Sequence, residues 1–267
     1  MGILNVTPDS SFDQGRWFDP FLAIQRGIQI YQEGADFLDI GGESTRPGAS
    51  PVLEEEELRR VIPVLKELKQ QIPIPISIDT TKPRVAEAAL QAGASMINDV
   101  SGFGNPAMRA LAVESAAPIC VMHMQGSPQT MQNNPTYPEG IIPHLLNWFN
   151  QQIEELQQAG VSKEQIILDP GIGFGKTVAD NIEIVHNLRQ IKALGFPVLI
   201  GLSRKSFLGK LIGKTSYKEL LSATLAVNTL AIAQAQVDII RVHDVGEHRD
   251  ILELLKGLSG GLCGYYN

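Results

Sequence analysis

Two kinds of segment alternate along the chain: short β-branched apolar runs that stop at a polar residue or glycine, and longer stretches whose apolar positions return with helical period. The short runs predict strands at Ile3–Val6, Phe37–Gly41, Ile74–Asp79, Ser95–Asp99, Ile119–His123, Ile166–Asp169, Val198–Gly201 and Ile239–Val242. The periodic stretches predict helices over Pro20–Glu33, Glu54–Gln71, Pro83–Gln91, Pro106–Glu114, Glu139–Ala159, Asn181–Ala193, Tyr217–Ala235 and Gly246–Leu255. Pro20, Pro83 and Pro106 stand at helix starts, where a missing amide donor costs nothing, and Gly34, Gly93, Gly160 and Gly195 follow helix ends. Eight β–α alternations without a composition break predict an α/β fold of the (β/α)8 TIM-barrel type, a single domain over residues 1–267. A doubly wound sheet of fewer strands is the alternative, and the strand count favours the barrel. In a barrel the irregular stretches Thr7–Asp19, Gly42–Leu53 and Gln125–Pro138, which all follow strands, form loops over the active face.

Composition narrows the partners. Of 267 residues 43% are hydrophobic and 19% charged, and the net charge of −7 argues against nucleic acid or an anionic membrane as partner. No charged n-region followed by an apolar core opens the sequence, so no secretory signal is expected, and the Asn5-Val6-Thr7 sequon then has no use. The most apolar helical stretch, Leu220–Ala233, carries Ser222, Thr224 and Asn228 and falls short of the ~20 residues of a bilayer span. Cys120 and Cys263 lie outside any CxxC or Cys/His cluster, which fits a reduced, cytoplasmic compartment.

Polar residues recur where the predicted strands stop: Asn5, Asp39, Asp79, Asn98-Asp99, His123, Asp169, Ser203-Arg204-Lys205, Arg241 and His243. A single strand-terminal Asp reads most simply as a helix N-cap. Their recurrence in a parallel barrel brings them to one mouth around one ligand. Asp79, Asn98 and Asp169 suit a flat heterocycle with adjacent N–H donors, because a carboxylate accepts two parallel bonds. Arg46, Lys205, Arg241 and His243 suit an anion. A purely protein-held hard cation would need several clustered oxygens, whereas a magnesium shared with a substrate phosphate needs few, and Asn5 is a candidate ligand for it.

The stretch Asp169-Pro-Gly-Ile-Gly-Phe-Gly-Lys-Thr177 ends like a phosphate loop, but the required first glycine falls at Pro170; before the second Gly-Lys-Thr at 213–215 it falls at Leu208. Gly171, Gly173 and Gly175 also miss the dinucleotide spacing. These glycines either let backbone approach a flat ligand beside a Phe174 wall or serve a tight turn.

Eight motifs in chain order resemble bacterial dihydropteroate synthase: Asn5-Val-Thr-Pro-Asp-Ser10, Asp39-Ile-Gly-Gly-Glu-Ser-Thr-Arg-Pro-Gly48, Ser77-Ile-Asp-Thr80 with Lys82-Pro83, Ile97-Asn-Asp99, Met122-His-Met-Gln-Gly126, Asp169 to Lys176, Ser203-Arg-Lys-Ser206 and Arg241-Val-His-Asp244. The resemblance spans nearly the whole chain. It implies a folate-synthesis transferase that joins p-aminobenzoate to 6-hydroxymethyl-7,8-dihydropterin pyrophosphate, uses Mg2+, is a target of sulfonamides and works as a homodimer. By motif, Asp79, Asn98, Asp169 and Lys205 would hold the pterin, with Met122 against its face. Asn5, Arg241 and His243 would hold pyrophosphate and its metal, and Thr45, Arg46, Pro47, Phe174 and Ser206 would surround the aminobenzoate. Asp79, Lys205, Arg241 and His243 are the expected catalytic residues.

The departures lie at the start. Where the family's first loop usually reads Asp-Ser-Phe-Ser-Asp-Gly-Gly, this chain has Asp9-Ser-Ser-Phe-Asp-Gln-Gly15, so altered loop closure is expected from Ser11, Phe12 and Gln14. Family members commonly carry residues before the Met-Gly-Ile-Leu-Asn strand; here it begins at residue 1, which predicts a trimmed start and a short first strand. His144, His186 and His248, in helical stretches, are expected at the surface; for His123, packing and ligand contact are equally open. The Glu54–Glu57 run is expected to be a solvated first turn that suits the helix dipole. The wide apolar face of Tyr217–Ala235, including Leu221, Leu225 and Leu230, exceeds one barrel-facing stripe; either Gly246–Leu255 covers the excess within the chain or, as the resemblance implies, a homodimer does. Two alternatives compete: a pterin-binding methyltransferase domain that passes a methyl group from methyltetrahydrofolate to a corrinoid protein, in which the Ser44–Gly48 and Ser203–Ser206 loops would be unneeded, and an inactive barrel scaffold, which predicts loss of anion-site residues.

Overall fold

The structure, a computed structural model, describes residues 1–7, 19–234 and 236–260. The altered first loop, Trp17 and Cys263 lie outside the described residues. Strands β1 (Gly2–Asn5), β2 (Leu38–Gly41), β3 (Ile76–Asp79), β4 (Met96–Asp99), β5 (Ile119–Met122) and β6 (Ile166–Asp169) pair in parallel in that order. Two-residue strands β7 (Leu199–Ile200) and β8 (Ile239–Ile240) form a separate parallel pair. Single bridges, Leu168 to Val198 and Gly2 to Val242, join that pair to β6 and to β1 and close the barrel. The first strand has four residues, as many as β2 through β6, so the expected shortening is not seen.

Strand alternation explains both the core and the mouth. Leu38, Ile40, Ile76, Ile78, Ile97, Val121 and Leu168 point outward into the large core under the helices. Residues of the opposite parity fill the barrel, where Met96, Cys120, Ile167 and Leu199 form a small cluster. Two residues further along three of these strands, the same inward face presents Asn98, Met122 and Asp169, and on β3 it presents Ser77 and then Asp79.

The helices are α1 (Pro20–Gln32), α2 (Glu54–Gln71), α3 (Pro83–Gln91), α4 (Pro106–Ser115), α5 (Ile141–Ala159), α6 (Val178–Lys192), α7 (Ser206–Ile212), α8 (Leu221–Ala233) and α9 (Val245–Gly260). Asp19 caps α1 through bonds from the Phe21 and Leu22 amides, with Pro20 in the first turn. Helix α6 starts earlier than expected because Thr177 and Asp180 form a reciprocal capping box. The expected Tyr217–Ala235 helix is instead a 3-10 turn over Tyr217–Leu220 followed by α8.

Two expectations are corrected by burial, those for His248 and Glu57. Helix α8 buries Thr224 and Asn228 beside Ala231, packs Ala223, Val227 and Ile232 against the core and leaves Leu230 49% exposed, so polar side chains share its inner face. Thr224 Oγ donates to Leu220 O and accepts from Arg204 N, and Asn228 meets the His248 ring at 2.9 Å. His248 is therefore buried, as Nδ1 lies 2.6 Å from Asp244 O; His186 is exposed and His144 half-buried. Glu57 is fully buried rather than solvated. Among the described residues no helix is long and apolar enough to cross a membrane.

Candidate active site

A cavity of about 890 Å3 opens at the C-terminal ends of the strands. The side chains that the motifs assign to substrates and metal line it: Asn5 from β1; Thr45, Arg46 and Pro47 from the 42–53 loop; Asp79, Asn98, Met122 and Asp169 from β3 to β6; Phe174 from the glycine loop; Lys205 and Ser206 after β7; Arg241 and His243 after β8; of the strand-end polar residues, Asp39, Asp99 and His123 do not. The volume is in the range of a small-molecule site.

At its floor Arg241 Nε donates to Asp39 Oδ2 at 2.6 Å and Nη2 to Asp79 Oδ2 at 2.7 Å. Asn98 Nδ2 donates to the same Asp39 oxygen at 3.1 Å. Asp39 was read as a strand-end polar residue and as the start of a motif, without a role; its inward parity on β2 is the signal that places it under Arg241. The remaining oxygens, Asp39 Oδ1 and Asp79 Oδ1, are buried without a partner among the described residues. Burial pushes the Asp79 carboxyl up to about 7, against the pull of Arg241 and with the repulsion of Asp39. Burial opposes the charge of Arg241, but Asp39 and Asp79 outweigh it and raise its pKa.

Across the floor Asp169 Oδ1 accepts from the Gly171 amide at 2.7 Å, which fixes the plane of the carboxylate. Burial raises its pKa to about 6, the Gly171 bond and the lysines opposing. Gly171 has φ +66°, and a Cβ there would lie 1.9 Å from His123 O; one at Gly175 would lie 2.7 Å from Gln125 O. These two glycines let the loop approach the chain after β5, so close packing within the protein accounts for them. Lys176 is buried in the same contact, donating to Phe174 O at 2.9 Å and His123 O at 3.2 Å, with Nζ 3.1 Å from His123 Nδ1. Burial brings its pKa down to about 7. His123 packs edge-on against His144 and Trp148 behind the wall.

The cationic rim comes from the ends of β7 and β8. Lys205 Nζ lies 4.2 Å from the centre of the Phe174 ring, and its pKa is pushed down to about 8 by burial and then by Arg241. His243 N donates to Ser203 Oγ at 3.2 Å, and His243 Nδ1 lies 2.9 Å from the same oxygen. The Ser203 hydroxyl can donate to Nδ1 or accept from it, according to the imidazole tautomer, and in either case it fixes the orientation of the ring. Burial first, then four neighbouring cations, holds the His243 pKa well below its ordinary value, so His243 is a neutral N–H donor rather than a cation. Ser203 was read as a strand-end polar residue and as part of a motif; its orienting role appears with the fold. Arg204 makes a two-pronged ion pair with Asp244 at 2.7 and 2.9 Å, which ties the two strand ends together. Asp99 turns away from the cavity and caps its own loop through the Ser101 and Phe103 amides, so there the N-cap-like reading holds.

The family model for pterin binding enzymes matches residues 1–243. The chain belongs to the pterin-binding enzyme family. It is 48% identical to the dihydropteroate synthase of Synechocystis sp. (strain ATCC 27184 / PCC 6803 / Kazusa) over 259 residues, 97% of this chain and 89% of that protein. To the Escherichia coli (strain K12) dihydropteroate synthase it is 41% identical over 256 residues, 96% of this chain and 90% of that protein. Among solved structures it is similar to the Yersinia pestis dihydropteroate synthase in a sulfonamide drug complex, with a TM-score of 0.93 and 38% identity over 98% of this chain and 94% of that one. The Xanthomonas albilineans dihydropteroate synthase with 4-aminobenzoic acid gives 0.90 and 40% identity over 97% of this chain and 92% of that one. The TIM-barrel class of these pterin-binding enzymes agrees with the strand count read from the sequence. In this family member, as described, no group of three or more His, Cys, Asp or Glu forms a metal-ligating cluster.

Proposed function

We propose that this pterin-binding enzyme is a transferase of folate biosynthesis that joins p-aminobenzoate to 6-hydroxymethyl-7,8-dihydropterin pyrophosphate, giving 7,8-dihydropteroate and pyrophosphate. The observation that carries the reading is the division of one cavity into a buried acceptor floor, with an unpartnered Asp79 oxygen and the aligned Asp169, and a cationic rim of Arg46, Lys205 and Arg241. Amine donors of a pterin suit the floor, and a diphosphate suits the rim. Asn98 adds an amide to the floor, and Met122 an apolar face.

In the reaction the methylene C–O bond breaks with both electrons going to the diphosphate. The cation left on the pterin is stabilised by the Asp79 and Asp169 carboxylates. Two nitrogens of Arg241 are held by Asp39 and Asp79, which leaves Nη1 for the departing oxygens, and His243 lines the cavity beside it. Lys205, raised over Phe174, donates to the ring carbonyl and positions it; a second cation next to the developing one would oppose it, so its role is not charge stabilisation. The arylamine, set among Thr45, Arg46, Pro47, Phe174 and Ser206, attacks the methylene carbon and then sheds a proton to solvent; no strong base is needed.

Mg2+ belongs to the same reading. With one amide oxygen at Asn5 and, among the described residues, no metal-ligating cluster, the donor set fits a magnesium that would be held mainly by diphosphate oxygens and water. Bound there it would neutralise leaving-group charge. Exposed Leu211, Leu230, Leu254 and Leu258 on α7, α8 and α9 support a homodimer through this side of the barrel, for which sedimentation at twice 29.1 kDa is the check. A free, buried Cys120 fits a cytoplasmic setting. We further read the chain as one pterin-binding domain. The test of the whole reading is pyrophosphate release from the pterin substrate, measured with and without p-aminobenzoate. No turnover with any arylamine would refute it.

A further inference from the structure

Three charged residues from three elements meet beneath the 42–53 loop. Glu43 stands two residues beyond β2, Glu57 in the first turn of α2, and Lys82 three residues beyond Asp79, where β3 gives way to α3. Lys82 Nζ donates to Glu43 Oε2 and, at 2.5 Å, to Glu57 Oε2. The other oxygen of Glu43 accepts from Val52 N at 2.8 Å, which closes the loop across its stem. Arg60 Nη1 holds Gly42 O at 2.9 Å on the entering side. Thr45, Arg46 and Pro47 lie inside the span that Glu43 and Val52 close. At the tip the ties are looser: Gly48 N reaches Pro128 O at 3.1 Å and Gln129 Nε2 reaches Ala49 O at 3.3 Å.

We propose that Lys82 is a positioning residue: through Glu43 it sets the aminobenzoate loop at a fixed distance from the strand end that carries Asp79. The inference rests on the proposed reading of that loop. Lys82 does not line the cavity, whereas Glu43 does, so its influence passes through the loop stem. Glu57 is fully buried and one of its oxygens has no partner among the described residues, an arrangement poorly suited to stabilise the fold for its own sake. What it does provide is a lysine held in one place by two carboxylates, which raise its proton affinity in spite of burial. Without Lys82, two carboxylates face each other under the loop, and repulsion moves Glu43 and the stem outward. The pterin floor is held separately, by Arg241, Asn98 and Gly171.

The experiment is steady-state kinetics on the whole enzyme with both substrates varied, with pterin titration calorimetry and melting temperature alongside. Lys82→Met is expected to raise the KM for p-aminobenzoate about tenfold or more, a misplaced loop being enough for that. The KM and binding constant of the pterin substrate should stay within roughly twofold. Lys82→Arg should restore most of the loss, and Glu43→Gln, which keeps a partner for Val52 N but weakens the bond to Lys82, should reproduce part of the shift. Glu43→Gln and Lys82→Arg also carry the test if Lys82→Met does not fold. Equal rises in both KM values, or a lower melting temperature with both unchanged, would overturn the inference. A wild-type enzyme inert toward p-aminobenzoate would instead overturn the functional reading, and this inference with it.

Discussion

The two halves of the site stand on different foundations. Asp79, Asn98 and Asp169 end strands of a six-stranded sheet whose register is unbroken from β1 to β6. Lys205, Arg241 and His243 follow a pair of two-residue strands that meets the rest of the barrel at single bridges. Backbone ladders hold the first half in shape. In the second, side chains reinforce a shorter set of backbone bonds, among them Arg241 N to Ile200 O and Val242 N to Met1 O: Arg241 crosses from β8 to Asp39 and Asp79, Arg204 grips Asp244, and Ser203 orients His243. The acceptor floor is thus built before a ligand arrives, whereas the cationic rim depends on charges that a ligand can redistribute.

Arg241→Met tests that dependence most severely. It strands Asp39 and Asp79 as two buried carboxylates, and chemical denaturation should show a loss on the order of 3–5 kcal/mol together with lost activity. A loss below about 1 kcal/mol would mean that the seam holds without its staple. On the ladder side, Asp79→Ala should slow pyrophosphate release in the absence of aminobenzoate by roughly 100-fold, further than Lys205→Ala, whose main effect should be on productive placement. If release in single turnovers requires aminobenzoate absolutely and scales with amine nucleophilicity, a concerted displacement replaces the stepwise route.

Asp169→Asn, which turns a donor toward a donor, should cost pterin affinity more than the ~1 kcal/mol of an ordinary hydrogen bond. Calorimetry with unchanged pterin binding would remove Asp169 from the floor. The smallest effect is in pH. Asp79 and Asp169 have folded pKa values near 7 and 6, above the ordinary carboxylate value, so the empty fold binds more protons than the unfolded chain. Their contribution to stability is complete below about pH 4 and is lost as pH rises through those values. A pterin that donates to both carboxylates favours their ionised forms. Its binding near pH 6 should therefore release protons, and the release should fade above about pH 8, as calorimetry in two buffers can measure. No release near pH 6 would mean that both are already ionised in the empty enzyme.

Much of the barrel and its mouth was legible because alternation along the strands carries both at once: the parity that buries Met96, Cys120 and Ile167 delivers Asn98, Met122 and Asp169. What escaped depends on contacts between distant segments. Helix α7 has only seven residues and a glycine near its middle, too little for a periodic signal. Glu57 belongs to an acidic run typical of a solvated first turn, and only Lys82, 25 positions away, explains its burial. Helix α8 read as apolar toward the barrel, yet Thr224 and Asn228 face inward because Arg204 and His248 there need partners. Asp39 and Ser203 had the right positions in the sequence, and only the meeting of β2, β7 and β8 gave them something to orient.

The backbone at Gly171 has a consequence for inhibitors. It lines the cavity, its φ is +66°, and any side chain there would run into the carbonyl of His123. A compound that rests against that backbone touches a position the gene cannot readily change without dismantling the wall behind it. Pro47 and Ser206, exposed on the rim, carry no such constraint. Escape mutations should gather at the rim and spare the wall, so an inhibitor's durability would depend on how much of its contact it draws from main chain.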